Sequence, residues 1–570
     1  MAKSQSRRGC LCVLALLSAV AVICICIILA SKQSCWFKTK QSNQRCAFTH
    51  GAVAADSLMC SDIGRDILLQ GGSAVDAAIA ALLCTGLVNP QSMGLGGGAI
   101  FTIMDKTGKV KIISSRETVP KGVQADLLNK CPKSLTFDTA QQLLGSHWIG
   151  IPGEILSYER AHQLYGKLPW AKLFEPSIKL AREGFCMPVY LGKFLQNELI
   201  KRLIRGSELC KLFCHENKTV FGPGDTLKYP QLADTMETIA KEGATAFYNG
   251  KIAEDLIQDI QARNGILSLE DLKTFQVRES DAWTVKLGEY EMYFPPPPAG
   301  GAILSFILKL MHGFGLSPAS NQGEQKNLTL HRYLEAVKFA NGQKNNIKDP
   351  LFNSRDMTYI TDEKFIERIR ALITDGHTHN ASYYNITPSV DRFGTTHVSV
   401  MAADGTAVSV TSTINTMFGS AVYSPKTGII LNNELVDFCG RADSITPGEQ
   451  PPSSMAPAIL HSVCQKKTLV IGGSGGNFIT TAMALSIMNH LWFEMNLSES
   501  IAAKIVFVDS NNNVFFEPGY NESTIKAMKA LRHDVGNHLY FFNVVNAISK
   551  EGECFSAVSD ARKHGRSAGY

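Results

Sequence analysis

The sequence predicts a layered fold of mixed helices and strands. Residues 394–415 have the pattern of two strands joined by a turn, and residues 469–492 that of a strand ending in glycines before a helix. The chain has 570 residues, 45% of them hydrophobic, enough for the core of one large domain or two ordinary ones. The formal charge of +5 is small for this length, and no basic cluster is interleaved with aromatic residues. Nucleic acid is therefore not an expected partner.

The N-terminus predicts a single membrane anchor. Residues 9–30 contain no charged side chain, follow Lys3, Arg7 and Arg8, and are numerous enough to span a bilayer. A cleaved signal peptide would have a shorter apolar core and a small-residue cleavage site, and neither is clear. We therefore expect a cytoplasmic tail at residues 1–8, an uncleaved signal-anchor at 9–30 and a stalk at 31–45. A transporter is disfavoured because only one spanning segment is evident.

Sequons and cysteines agree with a body outside the cell. Six N-x-S/T glycosylation acceptors follow the span, at Asn217, Asn327, Asn380, Asn385, Asn496 and Asn521. We expect a single-pass type II protein of the plasma membrane, in an oxidising space that permits disulfides. Cys210 and Cys214 are close enough for a local disulfide, and Cys60 with Cys84 could bracket one helix-like stretch. No metal site is expected, because the chain has neither paired CxxC spacing nor HExxH.

The segment from 394 to 415 predicts a hairpin. Polar and apolar side chains alternate from 395 to 401, then come Asp404 and Gly405 as a two-residue turn, then a second β-branched run. Folding the arms about that turn places Thr413 opposite Thr396 and beside Thr395. Asn415 falls just past the open end of the hairpin.

The bond between Gly394 and Thr395 is a candidate site of self-cleavage. A threonine hydroxyl is a poor nucleophile until a base takes its proton, and the α-amine of an N-terminal threonine is one known base. Such an amine has an ordinary pKa of roughly 7.7–8.0, so it is substantially neutral near physiological pH. A plain threonine-rich strand is the alternative. His397 is expected to be a packing residue, because side chains two apart on a strand are separated by roughly 6.5 Å.

Two glycine-containing turns mark other points of the fold. The run PPPPAGG after Phe294 ends an extended segment and starts an apolar helix from Ala302. Residues 472–476, GGSGG, match neither GxxxxGK[ST] nor GxGxxG, so phosphate binding is not supported. Their N–H groups could instead receive the oxyanion of a tetrahedral intermediate, or the loop could be only a structural turn.

From about residue 47 to residue 570 the chain resembles the γ-glutamyltransferases, which are N-terminal nucleophile hydrolases. The matching motifs are NPQSMGLGGG at 89–98, SSRETVP, PPPPAGG, the threonine hairpin, SPKTGIILNNELVDF, PSSM at 452–455 and GGSGG. INTMFG, VYSPKTGIILNNEL and AVSDARKHGRSAGY are most similar to the leukotriene-cleaving branch, the γ-glutamyl leukotrienases. The resemblance implies an α+β, four-layer αββα sandwich. It also implies self-cleavage between Gly394 and Thr395 into a large subunit, 46–394, and a small catalytic subunit, 395–570, that stay associated as a heterodimer.

The resemblance also implies the residues of the reaction centre. Thr395 would be the nucleophile and its amine the base, and Thr413 would support the Thr395 hydroxyl. The backbone amides of Gly475 and Gly476 would form the oxyanion hole.

Donor binding is implied at six further positions, Arg116, Asn415, Glu434, Asp437, Ser453 and Ser454. Arg116 offers a bidentate fork to an α-carboxylate, aided by the two serines, and the other three offer acceptors to an α-ammonium. From the residues alone, a surface arginine beside Glu117 is the favoured interpretation of Arg116. Glu434 with Asp437 could be a solvated acidic pair, and the serines a plain turn.

The implied activity is hydrolysis or transfer of γ-glutamyl groups through a threonine ester, without a cofactor. Expected donors are glutathione, its S-conjugates and leukotriene C4, which would become leukotriene D4; water, amino acids or dipeptides would accept the group. Thr416 and Met417 stand where some relatives carry bulkier aromatic residues, which could alter donor choice. The alternative is a non-maturing, inactive binding ectodomain of the same fold, which the intact cleavage junction disfavours.

Overall fold

The computed structural model describes residues 46–132, 141–387, 394–536 and 544–570. The expected cytoplasmic tail, signal-anchor and stalk lie outside these ranges. Within the described ranges, the helices are all too short or too polar to cross a membrane. The anchor at residues 9–30 therefore stays a prediction.

The described residues form helices and strands throughout the chain. The helices are α1 Leu58–Leu69, α2 Ala74–Val88, α3 Glu154–Tyr165, α4 Trp170–Glu183, α5 Val189–Leu195, α6 Glu198–Arg205, α7 Cys210–Phe213, α8 Pro230–Glu242, α9 Thr245–Asn249, α10 Lys251–Gln261, α11 Leu269–Thr274, α12 Gly301–His312, α13 Gly323–Gln343, α14 Glu363–Arg370, α15 Ile479–Leu491, α16 Leu497–Ala502 and α17 Glu522–Ala530. The strands are β1 Ala52–Ala54, β2 Gly98–Met104, β3 Val110–Ser114, β4 Phe185–Cys186, β5 Thr226–Leu227, β6 Arg278–Asp281, β7 Trp283–Leu287, β8 Tyr290–Phe294, β9 Thr396–Met401, β10 Ala407–Thr413, β11 Tyr423–Ser424, β12 Ile429–Ile430, β13 Ala458–Ser462, β14 Lys467–Ser474, β15 Val506–Val508, β16 Val514–Phe516, β17 Val544–Glu551, β18 Cys554–Val558 and β19 Ala568–Gly569.

Two antiparallel sheets lie face to face at the centre of the molecule. Over the described residues, the first has the order β19-β1-β9-β10-β2-β3-β6 and the second β18-β17-β14-β13-β8-β7. Strands β9 and β10 pack against β14 and β17, whereas α1, α2 and α3 cover the outer face of the first sheet. Helices α12, α15 and α16 lie on the second sheet. The architecture is thus the four-layer αββα sandwich that the resemblance implies.

Alternation along β9 and β10 separates an apolar face from a polar one. Val398 and Val410 belong to the core beneath the helices of the first sheet. On the other face, Ser409 Oγ donates to the Ile471 carbonyl at 2.9 Å, and the His397 ring fills the space beside Gly472. A Cβ atom on Gly472 would lie 2.2 Å from that ring, so the glycine permits the close packing of the two sheets.

The hairpin turn differs from the prediction by one residue. Met401 pairs with Ala407, and the Ala402 N–H donates to Thr406 O at 3.0 Å, which leaves a three-residue loop at 403–405. Gly405 has a φ of +87°, the left-handed conformation that a three-residue hairpin loop needs at this position. Ser412 therefore pairs with Thr396, and Thr413 lies opposite Thr395 rather than Thr396.

Other local predictions are confirmed with one correction. The apolar helix after PPPPAGG and the strand–glycine–helix segment are α12 and β14–α15. The prediction of a single helix between Cys60 and Cys84 is wrong, because Gly71 adopts a φ of +87° after the end of α1. Ser73 then begins α2 with a capping box to Asp76.

Both expected disulfides are present, and two further pairs among the described residues, which were not expected, join distant parts of the chain. Cys60 bonds to Cys84 and Cys210 to Cys214. The additional pairs are Cys46–Cys554 and Cys131–Cys439, with sequence separations of 508 and 308. Each of these joins residues 46–394 to residues 395–570.

The six sequons all lie on described residues. Asn217, Asn380, Asn385 and Asn521 are exposed, and Asn327 and Asn496 are half-buried. Glycosylation of each stays a prediction.

Candidate active site

A small cavity lies at the open end of the β9–β10 hairpin, beside Thr395. All the predicted site residues that carry side chains line it, together with Gly476; they are Arg116, Thr395, Thr413, Asn415, Glu434, Asp437, Ser453 and Ser454. Its volume is about 130 Å³. Cavities for drug-sized ligands span roughly 300–1,000 Å³, so this one suits a group the size of one amino acid.

Thr395 and Thr413 form a buried hydroxyl pair in this cavity. Thr395 is 4% exposed, and its Oγ1 donates to Thr413 Oγ1 at 3.2 Å. Thr413 Oγ1 also accepts from the Asn415 N–H at 2.8 Å, which fixes its orientation. The corrected hairpin register explains the pairing, since the two threonines lie directly opposite each other.

The glycine-rich loop lies across the Gly394–Thr395 junction. Gly475 and Gly476 have φ values of +117° and +57°, which favour glycine at both positions. The Gly475 N–H donates to the carbonyl oxygen of Gly394 at 2.9 Å. A backbone donor thus already contacts the carbonyl adjacent to Thr395, as an oxyanion hole requires.

Arg116 lies at the other end of the cavity, buried between two carboxylates. Its Nη1 lies 2.5 Å from Glu434 Oε2, and its Nη2 lies 2.5 Å from Asp437 Oδ2. The Nη2 group also donates to Pro452 O at 3.1 Å. Arg116 is 1% exposed and Glu434 is buried. The interpretations of Arg116 as a surface arginine and of Glu434 with Asp437 as a solvated pair are therefore wrong.

The ion pairs dominate the electrostatics of Arg116. Burial acts to lower the pKa of Arg116, but the carboxylates of Glu434, Asp437 and Glu117 raise it above its ordinary value. Burial and the nearby Glu434 raise the pKa of Glu117 well above its usual range. Glu434 and Asp437 are the closest acidic partners of Arg116, whereas Glu117 Oε2 lies 3.6 Å from its Nη1.

Asn415 and the two serines complete this end of the cavity. Asn415 Nδ2 donates to Asp437 Oδ1 at 3.0 Å, which orients that carboxylate. The Ser453 N–H donates to Pro298 O at 2.8 Å, and Ser453 Oγ accepts from the Met455 N–H at 3.1 Å. The serines thus belong to a turn and also line the cavity.

Lys563 is a buried contact of Thr395 that sequence reasoning missed. Its Nζ donates to Thr395 O at 3.0 Å and to Ser474 Oγ at 2.9 Å, and it pairs with Asp56 Oδ2 at 2.9 Å. Asp56 also accepts from Thr396 Oγ1 at 2.6 Å. The sequence signal for it is the C-terminal motif AVSDARKHGRSAGY, which contains Lys563.

His397 is a packing residue rather than a base. Its ring nitrogens lie 2.9 Å from Thr411 Oγ1 and 2.9 Å from Ser399 Oγ. Burial lowers the pKa of His397 to about 3, so the ring stays neutral. This agrees with the expectation from strand geometry.

His331 and Glu335 on α13 form, with His533, a buried cluster of metal-ligand residue types. His331 Nδ1 lies 2.8 Å from His533 Nε2, and Lys338 Nζ lies 3.2 Å from His533 Nδ1. Thr378 Oγ1 donates to Glu335 Oε1 at 2.6 Å. A divalent cation here would place further positive charge beside Lys338 in a buried site, so the cluster is better explained as a hydrogen-bond network.

Comparisons with known proteins match nearly the whole described chain. Residues 60–570 match the family model described as Gamma-glutamyltranspeptidase. The mouse protein named "Glutathione hydrolase 5 proenzyme" is 47% identical over 544 residues, 92% of this chain and 93% of that protein. The human protein of the same name is 44% identical over 553 residues, again 92% and 93% of the two chains.

Solved structures show a similar fold at lower identity. A cephalosporin acylase from Bacillus halodurans superimposes with a TM-score of 0.82 at 21% identity, covering 94% of this chain and 98% of that one. The γ-glutamyltranspeptidase of Helicobacter pylori gives a TM-score of 0.54 at 24% identity, covering 60% and 95%. At these identities the likeness concerns the fold alone.

Proposed function

The chain belongs to the γ-glutamyltranspeptidase family and is an enzyme of that family, and we propose that it releases the γ-glutamyl group of glutathione, glutathione S-conjugates and leukotriene C4. It acts at the cell surface, held by the anchor at residues 9–30. The mouse, rat and human relatives are named glutathione hydrolases, which supports glutathione as a donor. Leukotriene C4 is proposed from the branch-specific motifs, and it would become leukotriene D4.

One observation carries the proposal: the Thr395–Thr413 pair and the Arg116 ion pairs share one small cavity. The α-carbon of a γ-glutamyl donor carries a carboxylate and an ammonium. Arg116 with Glu434 and Asp437 presents the complementary charges, already neutralised against each other. A zwitterion can exchange into these ion pairs, so that each buried charge keeps a partner and the desolvation penalty is offset.

Self-cleavage precedes catalysis in this mechanism. The word "proenzyme" in the names of the relatives supports processing, as does the intact junction at Gly394 and Thr395. The products are a large subunit, 46–394, and a small subunit, 395–570, which remain a heterodimer. The new α-amine of Thr395 then acts as the base for its own hydroxyl.

Turnover follows in two steps. Thr395 Oγ attacks the γ-amide carbonyl while the amides of Gly475 and Gly476 stabilise the oxyanion. The amine half of the donor leaves with a proton, and a γ-glutamyl ester remains on Thr395. Water or an acceptor amine then releases the ester, which gives hydrolysis or transpeptidation.

The test is expression of the full chain in a secretory host, followed by N-terminal sequencing and assay of glutamate release. We expect a small subunit that begins at Thr395 and releases glutamate from glutathione and from leukotriene C4. Thr395→Ala should give one uncleaved, inactive chain on a reducing gel, because both nucleophile and amine base are removed. Two chains from that variant would overturn the assignment of Thr395. A single inactive wild-type chain would favour the binding-ectodomain alternative.

A further inference from the structure

We propose that Gly394 is a positioning residue for self-cleavage and has no role in the mature enzyme. This inference rests on the proposed function, because it concerns the step that generates the Thr395 amine. The absence of a side chain at position 394 is therefore required only in the uncleaved precursor.

The space beside Gly394 excludes any side chain. A Cβ atom there would lie 1.6 Å from the backbone oxygen of Asn415 and 2.8 Å from its carbonyl carbon. Asn415 cannot yield easily, because its N–H donates to Thr413 Oγ1 and its side chain donates to Asn433 O and Asp437 Oδ1. Alanine would therefore push the scissile peptide rather than Asn415.

The position of Gly394 also aligns the scissile carbonyl with its donor. Gly394 O accepts from the Gly475 N–H at 2.9 Å, and this oxygen is the one that gains negative charge when Thr395 Oγ attacks. A donor already in place needs no reorganisation in the transition state. Displacement of the carbonyl by a Cβ atom would weaken that alignment without altering any catalytic side chain.

Thr395 is held in a strained backbone conformation on the other side of the bond. Its φ is +85°, which is an unfavourable conformation for a β-branched residue. Lys563 holds its carbonyl and Thr413 holds its hydroxyl, so the surroundings maintain the strain. Breaking the bond to Gly394 removes the steric conflict that makes this φ costly.

Self-cleavage between Gly394 and Thr395 needs no reactant other than water. Thr395 Oγ bonds to the Gly394 carbonyl carbon, the Gly394–Thr395 C–N bond breaks, and the Oγ proton is transferred to the nitrogen. An ester and a free amine result. Water then hydrolyses the ester, leaving a carboxyl group on Gly394 and restoring the proton to Oγ.

After cleavage, Gly394 is a chain end no longer bonded to Thr395. A methyl group on it can move away from Asn415, and the cavity residues keep their contacts. The residue thus affects the rate of maturation and not the rate of turnover.

The experiment compares Gly394→Ala with wild type and with Gly376→Ala. Gly376 is a matched control in the same predicted subunit, because a Cβ atom there meets nothing within 4 Å. Precursor conversion is followed by pulse–chase on reducing gels, and kcat and KM are measured per cleaved small subunit. We expect cleavage of Gly394→Ala to be slowed at least tenfold, with kcat and KM within twofold of wild type. Cleavage of Gly394→Ala at the wild-type rate would overturn the proposal. Slow cleavage of this variant together with an altered kcat or KM would overturn it as well.

Folding is checked with uncleavable chains. Thr395→Ala and the double variant Gly394→Ala/Thr395→Ala should both be secreted as folded chains, with the double variant melting only slightly lower because its added Cβ atom crowds Asn415 O. Retention of the double variant while Thr395→Ala is secreted would overturn the proposal, since it would give Gly394 a general structural role. If wild type and Gly376→Ala also stay uncleaved and inactive, the proposed function itself fails, and the inference fails with it.

Discussion

Replacement of Arg116 by lysine tests the donor-binding half of the proposed mechanism. The guanidinium reaches Glu434 and Asp437 through different nitrogens, each at 2.5 Å, and also contacts two proline carbonyls. A lysine ammonium keeps the positive charge but presents it from one point, so it cannot reproduce the fork. We expect the variant to mature normally, because the described contacts of Arg116 do not include Gly394 or Thr395.

The magnitude follows from the contacts that are lost. A hydrogen bond to a charged group contributes about 1.5–3 kcal/mol. If the lysine variant loses one hydrogen bond to the donor carboxylate, KM for glutathione should rise roughly 10- to 100-fold, since about 1.4 kcal/mol corresponds to a factor of ten. The fall in kcat/KM should be of the same size, since the reaction centre at Thr395 is unchanged.

The assay is steady-state release of glutamate from glutathione, with cleavage checked on a reducing gel. Arg441→Lys is the matched control, because Arg441 also pairs with two carboxylates, Asp443 and Glu449, but does not line the cavity. We expect its KM to stay near that of wild type. A KM for Arg116→Lys within twofold of wild type would remove Arg116 from donor binding.

Three further predictions follow. The disulfides Cys46–Cys554 and Cys131–Cys439 join the two predicted subunits, so the cleaved protein should run as one band without reductant and as two with it; two bands without reductant would contradict this pairing. Lys563→Met leaves Asp56 buried without its cation, which should destabilise the protein by about 3–5 kcal/mol in urea unfolding; an unchanged midpoint would contradict it. The pKa of His397 falls to about 3 on folding, below its ordinary value, so its contribution to stability is full above about pH 6.5 and is lost as pH falls. His397→Asn should flatten the decline in unfolding free energy between pH 6.5 and 5 by up to about 1.4 kcal/mol per pH unit, and an unaltered slope would refute this.

Local pattern predicted the elements of the fold but not their register. Alternation identified β9 and β10, yet Asp404-Gly405 does not by itself distinguish a two-residue turn from a three-residue loop ending in Gly405. The difference is one residue, and it decides whether Thr395 or Thr396 faces Thr413. Loop length is set by the pairing of Ala402 with Thr406, which composition does not reveal.

Long-range partners could not be predicted from spacing at all. Lys563 and Asp56 are 507 residues apart, and Arg116 and Asp437 are 321 apart. The resemblance supplied the residues around the donor, but it did not predict that Arg116 pairs with the carboxylates themselves. The disulfides between the predicted subunits were equally inaccessible, because fifteen cysteines permit very many pairings.

Under the proposed mechanism, one backbone arrangement has to serve both self-cleavage and turnover. Strand β9 lies inside its sheet, between β1 and β10. Lys563 donates to the Thr395 carbonyl, and Asp56 accepts from the Thr396 hydroxyl. Cutting the chain before Thr395 removes the constraint from Gly394 but leaves the described contacts of Thr395 with Thr413 and Lys563 in place. The new amine therefore appears beside a hydroxyl that is already positioned, and the Gly475 N–H, vacated by the Gly394 carbonyl, becomes available to a substrate carbonyl.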